Sequence, residues 1–254
     1  MKLGFIGAGN MATALARGIG EPVFVTDLVV GRAEALVERV GGEVLETPAR
    51  VAARADAIVL ATKPAQLHEV AAEMEGSARA IVSILGGTPL AQVEAAFPRV
   101  PAYRFLPNIP VELRQGVLCF WPGTHADEGP EAELLELFGR AGTIVRLPKE
   151  ELIEPAMALM SCGPAFMALV AEALADAGVM YGLDPDAAAQ MVVETMAGSA
   201  AVLRATDVDT RGLRRRVTSP GGSTARGLAA LEAAGLRAAF EHAVSSVVDF
   251  SLDR

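Results

Sequence analysis

The stretch LGFIGAGNMA, residues 3–12, decides the fold of this chain. After an apolar run, Gly7, Gly9 and Ala12 follow in the spacing G-x-G-x-x-A, a permitted form of the dinucleotide-binding fingerprint. In that fingerprint the first glycine makes a tight turn and the second lets a pyrophosphate approach the backbone, while the small third residue lets the helix pack close to the strand. We therefore predict a strand, a glycine-rich turn and a helix that together bind a dinucleotide.

A second predicted strand, residues 23–26, is followed directly by Asp27. A carboxylate at this position accepts hydrogen bonds from a ribose 2′-hydroxyl and repels the 2′-phosphate of NADP. Arg32 offers such a phosphate a partner, although a solvated position on the predicted helix 32–40 is the simpler interpretation. We expect NADH and leave NADPH open.

Strand and helix patterns alternate as far as Pro148, which predicts an α/β fold: a Rossmann-type, doubly wound, mostly parallel sheet with helices on both faces. Ligands of such sheets bind beyond the carboxyl ends of the strands, where we expect Thr62-Lys63-Pro64 and Asn108. Each of these segments is also compatible with an ordinary loop. The predicted cofactor-binding residues are Gly7, Gly9, Asn10, Met11, Asp27, Thr62, Lys63, Pro64 and Asn108.

From Lys149 onward the pattern is helical, without predicted strands. This divides the chain into a dinucleotide-binding domain, 1–148, and an all-helical domain, 149–254. Asp184-Pro185 predicts a helix start, with Asp184 as the N-cap and proline in the first helical position. The helices are rich in alanine and apolar on more than one face, which exceeds what one small domain buries. We therefore predict that the helical domain forms a homodimer.

Composition excludes several classes of function. The formal charge of −9 disfavours a nucleic-acid partner. Two cysteines without a CxxC motif fit a reducing, cytoplasmic location, and three scattered histidines predict no metal site. Residues 155–171 are uncharged, but Gly163-Pro164 interrupts this short stretch, so we expect a buried helix pair and no membrane span.

The stretch VTSPGGST, residues 217–224, follows the basic cluster Arg211 and Arg214–Arg216. Proline fixes φ, the paired glycines allow conformations closed to other residues, and Ser223 or Thr224 begins a helix. Such a loop turns N–H groups and hydroxyls toward one point and so suits a carboxylate or a phosphate. A plain turn with an N-cap is the alternative. The basic cluster either forms a solvated helix face or attracts an anionic substrate electrostatically toward the loop.

Over nearly its whole length the chain resembles the pyrroline-5-carboxylate reductase family. The resemblance implies NAD(P)H-dependent reduction of a cyclic imine to L-proline, the last step of proline biosynthesis, in dimers that often assemble into larger rings. Its most specific part is the stretch around residues 218–224. The matching segments are residues 4–11, Lys63-Pro64, residues 83–87, Pro107-Asn108, residues 163–166 and residues 213–231.

The chain departs from the family pattern at several positions. Leu106 and Ile109 stand where the family usually has Met and Thr, and Met160-Ser161-Cys162 replaces Ser-Gly-Ser. The Asn-Arg pair that commonly holds a 2′-phosphate after the second strand is also missing. These departures leave open a reductase of a different cyclic imine on the same fold, or a non-catalytic nucleotide-binding regulator. A β-hydroxyacid dehydrogenase is disfavoured, because its catalytic lysine would lie in the helical domain and no lysine follows Lys149.

A protonated C=N bond accepts hydride readily, so the protein must bind the substrate carboxylate, orient the imine and exclude water. We predict that the carboxylate binds the loop after Thr218, at an active site between the two domains. Thr224 is the predicted catalytic residue, as a hydrogen-bond donor or proton relay to the ring nitrogen, and the ultimate proton donor is left open. The predicted substrate-binding residues are Ser219, Gly221, Gly222, Ser223 and Thr224.

Overall fold

Eight strands of the N-terminal part of the chain form one sheet. The structure is a computed structural model that describes residues 1–74 and 76–252, without the side chains of residues 251 and 252. The strands are β1 (Leu3–Ile6), β2 (Val23–Thr26), β3 (Gly42–Val44), β4 (Ala57–Leu60), β5 (Ile81–Ser83), β6 (Ala102–Pro107), β7 (Gly116–Pro122) and β8 (Gly142–Arg146). Their order in the sheet is β3-β2-β1-β4-β5-β6-β7-β8.

Strand β1 lies inside the sheet because its apolar run is buried on both faces. Leu3 and Phe5 enter one hydrophobic core and Ile6 enters the other. β1 pairs in parallel with β2 and β4, and Phe5 lies opposite both Val25 and Val59. Parallel strands covered by helices on both faces are buried in this way. The predicted Rossmann-type, mostly parallel sheet is confirmed.

Strand β7 is the exception to the parallel arrangement. It runs antiparallel to β6, with Leu106 opposite Cys119, and a short 3₁₀ segment, Ile109–Leu113, connects the two strands. Parallel neighbours need a long crossover, so a connection this short joins antiparallel strands. β8 then pairs in parallel with β7.

Seven helices accompany the sheet within the described residues. The last of them places Ile153 and Met160 in a small hydrophobic cluster with Cys119 and Leu147. For that reason the first compact unit extends to Ser161, beyond the predicted domain boundary at 148, where the strands give way to helices. The seven are α1 (Asn10–Ile19), α2 (Val30–Val40), α3 (Pro48–Arg54), α4 (Leu67–Glu73), α5 (Leu90–Ala96), α6 (Glu131–Gly139) and α7 (Ile153–Met160).

The second compact unit, Cys162–Phe250, is helical throughout. Asp184 caps its second helix through a hydrogen bond from the Ala187 N–H to Oδ1, 3.1 Å long, and Pro185 takes the first helical position. The predicted start of that helix is thereby confirmed. The helices are α8 (Gly163–Met180), α9 (Pro185–Ala205), α10 (Thr210–Val217), α11 (Ser223–Ala233) and α12 (Leu236–Leu252).

Helices α8 and α9 expose large apolar side chains in the single chain. Leu169 is 65% exposed, Met180 84% and Met191 56%. Residues 150–180 are also long and apolar enough, by length and composition alone, to cross a membrane. In the structure this segment is divided between α7, which packs on the sheet, and α8. Several large apolar side chains exposed on two neighbouring helices are typical of an interaction surface.

Candidate active site

The glycine-rich turn after β1 requires glycine at its first position. Gly7 has φ of +101°, and a Cβ there would lie 2.6 Å from the carbonyl oxygen of Ala61. The Gly7 N–H donates to the Thr26 carbonyl at 2.8 Å. The turn is thus held between the ends of β2 and β4, at the carboxyl edge of the parallel strands where the sequence predicted it.

Gly9 differs from Gly7 because it faces open space. A Cβ built on Gly9 would meet nothing within 4 Å. Gly9 is the N-cap of α1 and makes no side-chain cap, while Ala12 is buried against the core. Free N–H groups at a helix start attract anions, and a missing Cβ leaves room for one to approach. Asn10 and Met11 form the first turn of this helix, so the loop fits the pyrophosphate of a dinucleotide.

Asp27 is fixed beside this loop. Its Oδ2 accepts a hydrogen bond from the Ala8 N–H at 2.7 Å, and its Oδ1 accepts one from the Val29 N–H at 2.7 Å. Each carboxylate oxygen retains a lone pair after these bonds. The negative charge therefore has a defined position at the end of β2 and can still accept hydrogen bonds from hydroxyls.

The segment after β4 adjoins the glycine loop. A Cβ on Gly7 would lie 3.1 Å from the Thr62 backbone nitrogen. The Thr62 hydroxyl oxygen is buried without a hydrogen-bond partner in the described part of the chain. A buried hydroxyl of this kind costs free energy unless a partner arrives. Lys63 is exposed, and Pro64 begins a short 3₁₀ turn.

Asn108 lies at the same edge, beyond β6, but both ends of its side chain are used inside the protein. Its Nδ2 donates to the Met160 carbonyl at 2.9 Å, and its Oδ1 accepts from the Val117 N–H at 2.8 Å. Asn108 therefore ties the end of α7 to strand β7. These contacts give Asn108 a structural role that the sequence prediction of a cofactor contact did not include.

A cleft of about 360 Å³ lies between α1 and α2, and a second arginine lines it beside the predicted cofactor site. Arg32 and Arg39 line it together with Asn10 and Thr13. Neither arginine has an ion pair among the residues that the structure describes. Of these two arginines, only Arg32 was identified from the sequence as a candidate partner for a phosphate of the cofactor. Arg39 follows it by two helical turns and so lies on the same face, which is a signal that the sequence contains.

The loop Ser219–Gly222 in the helical unit is a tight turn. The Gly222 N–H donates to the Ser219 carbonyl at 3.1 Å, with Pro220 and Gly221 between them and Gly221 at φ +68°. Proline followed by a glycine of positive φ is the pattern of a type II turn. A Cβ on Gly222 would lie 2.4 Å from the Ser219 hydroxyl oxygen, so any larger residue there would make the Ser219 side chain rotate away from its present position.

Helix α11 begins directly after this turn, at Ser223. Gly222 is its N-cap and provides no side-chain cap. Ser219, Ser223 and Thr224 are exposed. Three hydroxyls thus accompany the N–H groups of a helix start, an arrangement suited to a carboxylate.

The positions that depart from the family pattern lie in different surroundings. Leu106 packs beside the α7 cluster, and the Ser161 hydroxyl contacts the Met160 sulfur at 3.1 Å. Ile109 is half exposed and lines the α1–α2 cleft. Cys162 is a half-buried free thiol at the start of α8.

Comparison with known proteins gives matches in both parts of the chain. Residues 150–252 match the family model described as pyrroline-5-carboxylate reductase dimerisation, and residues 2–87 match the model described as NADP oxidoreductase, coenzyme F420-dependent. A pyrroline-5-carboxylate reductase of Methanosarcina acetivorans is 34% identical to this chain. The alignment covers 96% of this chain and 94% of that protein. The corresponding protein of Synechocystis is 32% identical, with the same coverage.

Solved structures agree with this. A pyrroline-5-carboxylate reductase of Coxiella burnetii superimposes with a TM-score of 0.91 at 27% identity, covering 99% of this chain and 97% of that one. The pyrroline carboxylate reductase of Plasmodium falciparum, crystallised with NADP bound, gives a TM-score of 0.85 at 27% identity, with the same coverage.

Proposed function

The chain belongs to the pyrroline-5-carboxylate reductase family, and we propose that it reduces the C=N bond of 1-pyrroline-5-carboxylate to L-proline with NAD(P)H. The observation that carries this is similarity along nearly the full length, 34% identity over 96% of the chain. The product places the enzyme in proline biosynthesis. A local motif shared with other dehydrogenases would not support so specific an activity.

The cofactor site that we propose lies at the carboxyl edge of the sheet. A bound nicotinamide cofactor supplies the hydride. The N–H groups at the start of α1 bind its pyrophosphate, Gly9 leaves room for it, and the unpaired Thr62 hydroxyl donates to it. The proposed cofactor-binding residues are Gly7, Gly9, Asn10, Met11, Asp27, Thr62, Lys63, Pro64 and Asn108, with Asn108 acting by holding the edge in place.

We propose NADH as the preferred donor. The Asp27 carboxylate, fixed by two backbone N–H groups, accepts hydrogen bonds from ribose hydroxyls and repels a 2′-phosphate. Use of NADPH would depend on Arg32 and Arg39, which line the neighbouring cleft. Cofactor preference thus depends on two opposing effects. The fixed carboxylate disfavours a 2′-phosphate, and the two arginines, which have longer and more mobile side chains, favour it.

The substrate carboxylate is proposed to bind the N–H groups and hydroxyls of residues 219–224. Ser219 and Ser223 orient it, and Gly221 and Gly222 shape the turn. We propose that the Thr224 hydroxyl donates a hydrogen bond to the ring nitrogen, which becomes basic as the C=N bond is reduced. The chain thereby contributes orientation and hydrogen bonding.

The proposed assembly is a homodimer built by the helical part, with further assembly of dimers into a ring. The match of residues 150–252 to a dimerisation model supports the dimer, as do the exposed apolar side chains of α8 and α9. A cytoplasmic location is supported by two free cysteines, one of them buried. The exposed apolar side chains of α8 then face a second copy of the chain instead of a lipid bilayer.

A reductase of a different cyclic imine is the second candidate, which the side chains at Ile109 and Cys162 favour because each lacks the hydroxyl usual in the family. The test follows NADH oxidation by the purified chain with 1-pyrroline-5-carboxylate and, separately, with 1-pyrroline-2-carboxylate, and identifies the product chromatographically. We expect oxidation and L-proline with the first substrate. Turnover of the second alone would favour the other imine, and NADH binding without turnover of either would favour a regulator.

A further inference from the structure

Arginines from two helices converge on one cleft in the helical unit. The cleft measures about 620 Å³ and is lined by Arg211, Arg214 and Arg215 of α10, by Arg237 of α12, and by Thr210 and Thr218. The volume is far larger than a single carboxylate group needs. The cleft therefore has room for a larger anion.

The charge of the cleft is unusual for this chain. The protein has a formal charge of −9, yet residues 210–237 contain six arginines and one glutamate. That glutamate, Glu232, is already bound by Arg237, with Nε to Oε2 at 2.9 Å and Nη2 to Oε1 at 2.8 Å. Arg211, Arg214 and Arg215 form no ion pair with a carboxylate among the described residues. The hydrogen bond from Arg237 has the largest effect in lowering the pKa of Glu232, and the charge of Arg214 also helps to lower it, so Glu232 offsets only part of this positive charge.

The spacing on α10 forces these three charges together. Arg211, Arg214 and Arg215 stand at i, i+3 and i+4, which places them on one helix face, where like charges repel. The helix is held from both ends: the Gly212 N–H donates to Asp209 Oδ1 at 2.7 Å, and the Thr218 hydroxyl donates to the Arg214 carbonyl at 2.6 Å. An anion in the cleft would relieve the repulsion that this arrangement creates.

We propose that this cleft binds a small molecule that carries an oligophosphate group. Guanidinium forks bind phosphate oxygens through paired, charge-assisted hydrogen bonds, and several forks suit adjacent phosphates. A monocarboxylate carries one negative charge and would leave two of the three unpaired arginines without a partner. The site is separate from the proposed substrate loop but adjoins it, because Thr218 lines the cleft and directly precedes Ser219.

The test is calorimetric titration of the full chain with inorganic tripolyphosphate, in the presence of saturating NADH and L-proline so that the proposed cofactor and product sites are filled. We expect one site per chain. Arg214→Gln should weaken binding about 10-fold, the effect of removing one charge-assisted partner. Arg216→Gln is the matched control, because Arg216 belongs to the same helix and carries the same charge but does not line the cleft.

Three results would overturn the proposal: no binding, an equal loss of affinity in Arg216→Gln and Arg214→Gln, or binding that appears only when NADH is omitted. The last, with the same affinity in Arg214→Gln as in the wild type, would assign the anion to the glycine loop after β1, because NADH also carries a diphosphate. If Arg214→Gln does not fold, as judged by circular dichroism, Arg211→Gln replaces it. The measurement does not require turnover, so its outcome is independent of the proposed imine reduction.

Discussion

The carboxylate of Asp27 accepts a hydrogen bond from the backbone N–H of Ala8, with 2.7 Å between Oδ2 and the nitrogen. The second oxygen accepts from the Val29 N–H. A charge at the end of β2 is in this way fixed to the loop that follows β1. A carboxylate held by two bonds keeps a fixed position at this loop, so we expect its charge to act on cofactor choice.

We expect Asp27→Asn to shift the preference toward NADPH. The substitution removes the negative charge but keeps an amide oxygen that can accept from Ala8 or Val29. The ratio of kcat/KM for NADPH to that for NADH should rise about 10-fold, the effect of relieving roughly 1.4 kcal/mol of charge repulsion. Asp56→Asn is the control, because Asp56 binds the Lys2 N–H at the opposite end of the sheet. An unchanged ratio in Asp27→Asn would contradict the role of the charge.

Gly9→Val should abolish NADH binding while the protein stays folded. A Cβ at this position meets nothing within 4 Å in the protein, so we expect the valine side chain to extend into the space proposed for the pyrophosphate. Gly31→Val is a matched control on α2, where a Cβ also meets nothing within 4 Å. Fluorescence titration with NADH and a thermal melt measure the two effects. Retained NADH affinity in Gly9→Val would remove the assignment of the loop.

Asn108→Ala should lower stability. The Met160 carbonyl and the Val117 N–H would each lose a partner, and unpaired buried groups cost about 1–3 kcal/mol each. Urea unfolding measures the change in the free energy of unfolding, with Gln92→Ala as the control, because Gln92 is an exposed amide on α5. A variant of unchanged stability but weakened NADH binding would show that Asn108 contacts the cofactor and does not stabilise this edge.

The sequence predicted those parts of the fold and site that depend on local backbone demands. Gly7 needs a positive φ, and the Pro220-Gly221 pair makes a turn. Both requirements can be recognised from a few neighbouring residues in the sequence. Strand β3 escaped prediction because three residues at a sheet edge show no period, and only pairing with β2 defines it.

Contacts between residues far apart in sequence were also beyond prediction. The carbonyl that Asn108 binds belongs to Met160, and nothing in either local sequence connects them. The same holds for buried Arg104, whose partner Glu150 also accepts from the Leu90 N–H. Both contacts attach the start of the helical half to the sheet, which is why the compact unit extends to Ser161.

Tyr103 should make stability depend on pH in the alkaline range. Its hydroxyl donates to the Ala126 carbonyl at 2.7 Å, and burial, followed by the charges of Glu131 and Asp127, raises its pKa from 10.0 to about 12. A raised pKa in the folded state stabilises the protein below pH 10, and this contribution is lost as the pH rises toward 12. Denaturant unfolding between these pH values should show a smaller decline in Tyr103→Phe than in the wild type.

The hydrogen bond lost in Tyr103→Phe should also cost about 1 kcal/mol at neutral pH. Tyr181→Phe is the control, since Tyr181 is 92% exposed and its removal should leave the alkaline decline unchanged. Equal declines in the wild type and Tyr103→Phe would mean that Tyr103 does not titrate differently in the folded and unfolded states.

Thr224→Ala should lower kcat/KM for 1-pyrroline-5-carboxylate by roughly 10²-fold, the scale of one positioned hydrogen-bond or proton-transfer contact in a transition state. The loss should fall mainly on kcat, because the carboxylate keeps the N–H groups of the turn and the hydroxyls of Ser219 and Ser223. Thr224→Ser restores the hydroxyl and should recover most of the rate. Thr206→Ala is the control, because the Thr206 hydroxyl bonds the Val202 and Leu203 carbonyls of its own helix. Near-wild-type turnover in Thr224→Ala would show that the ring nitrogen receives its proton without this hydroxyl.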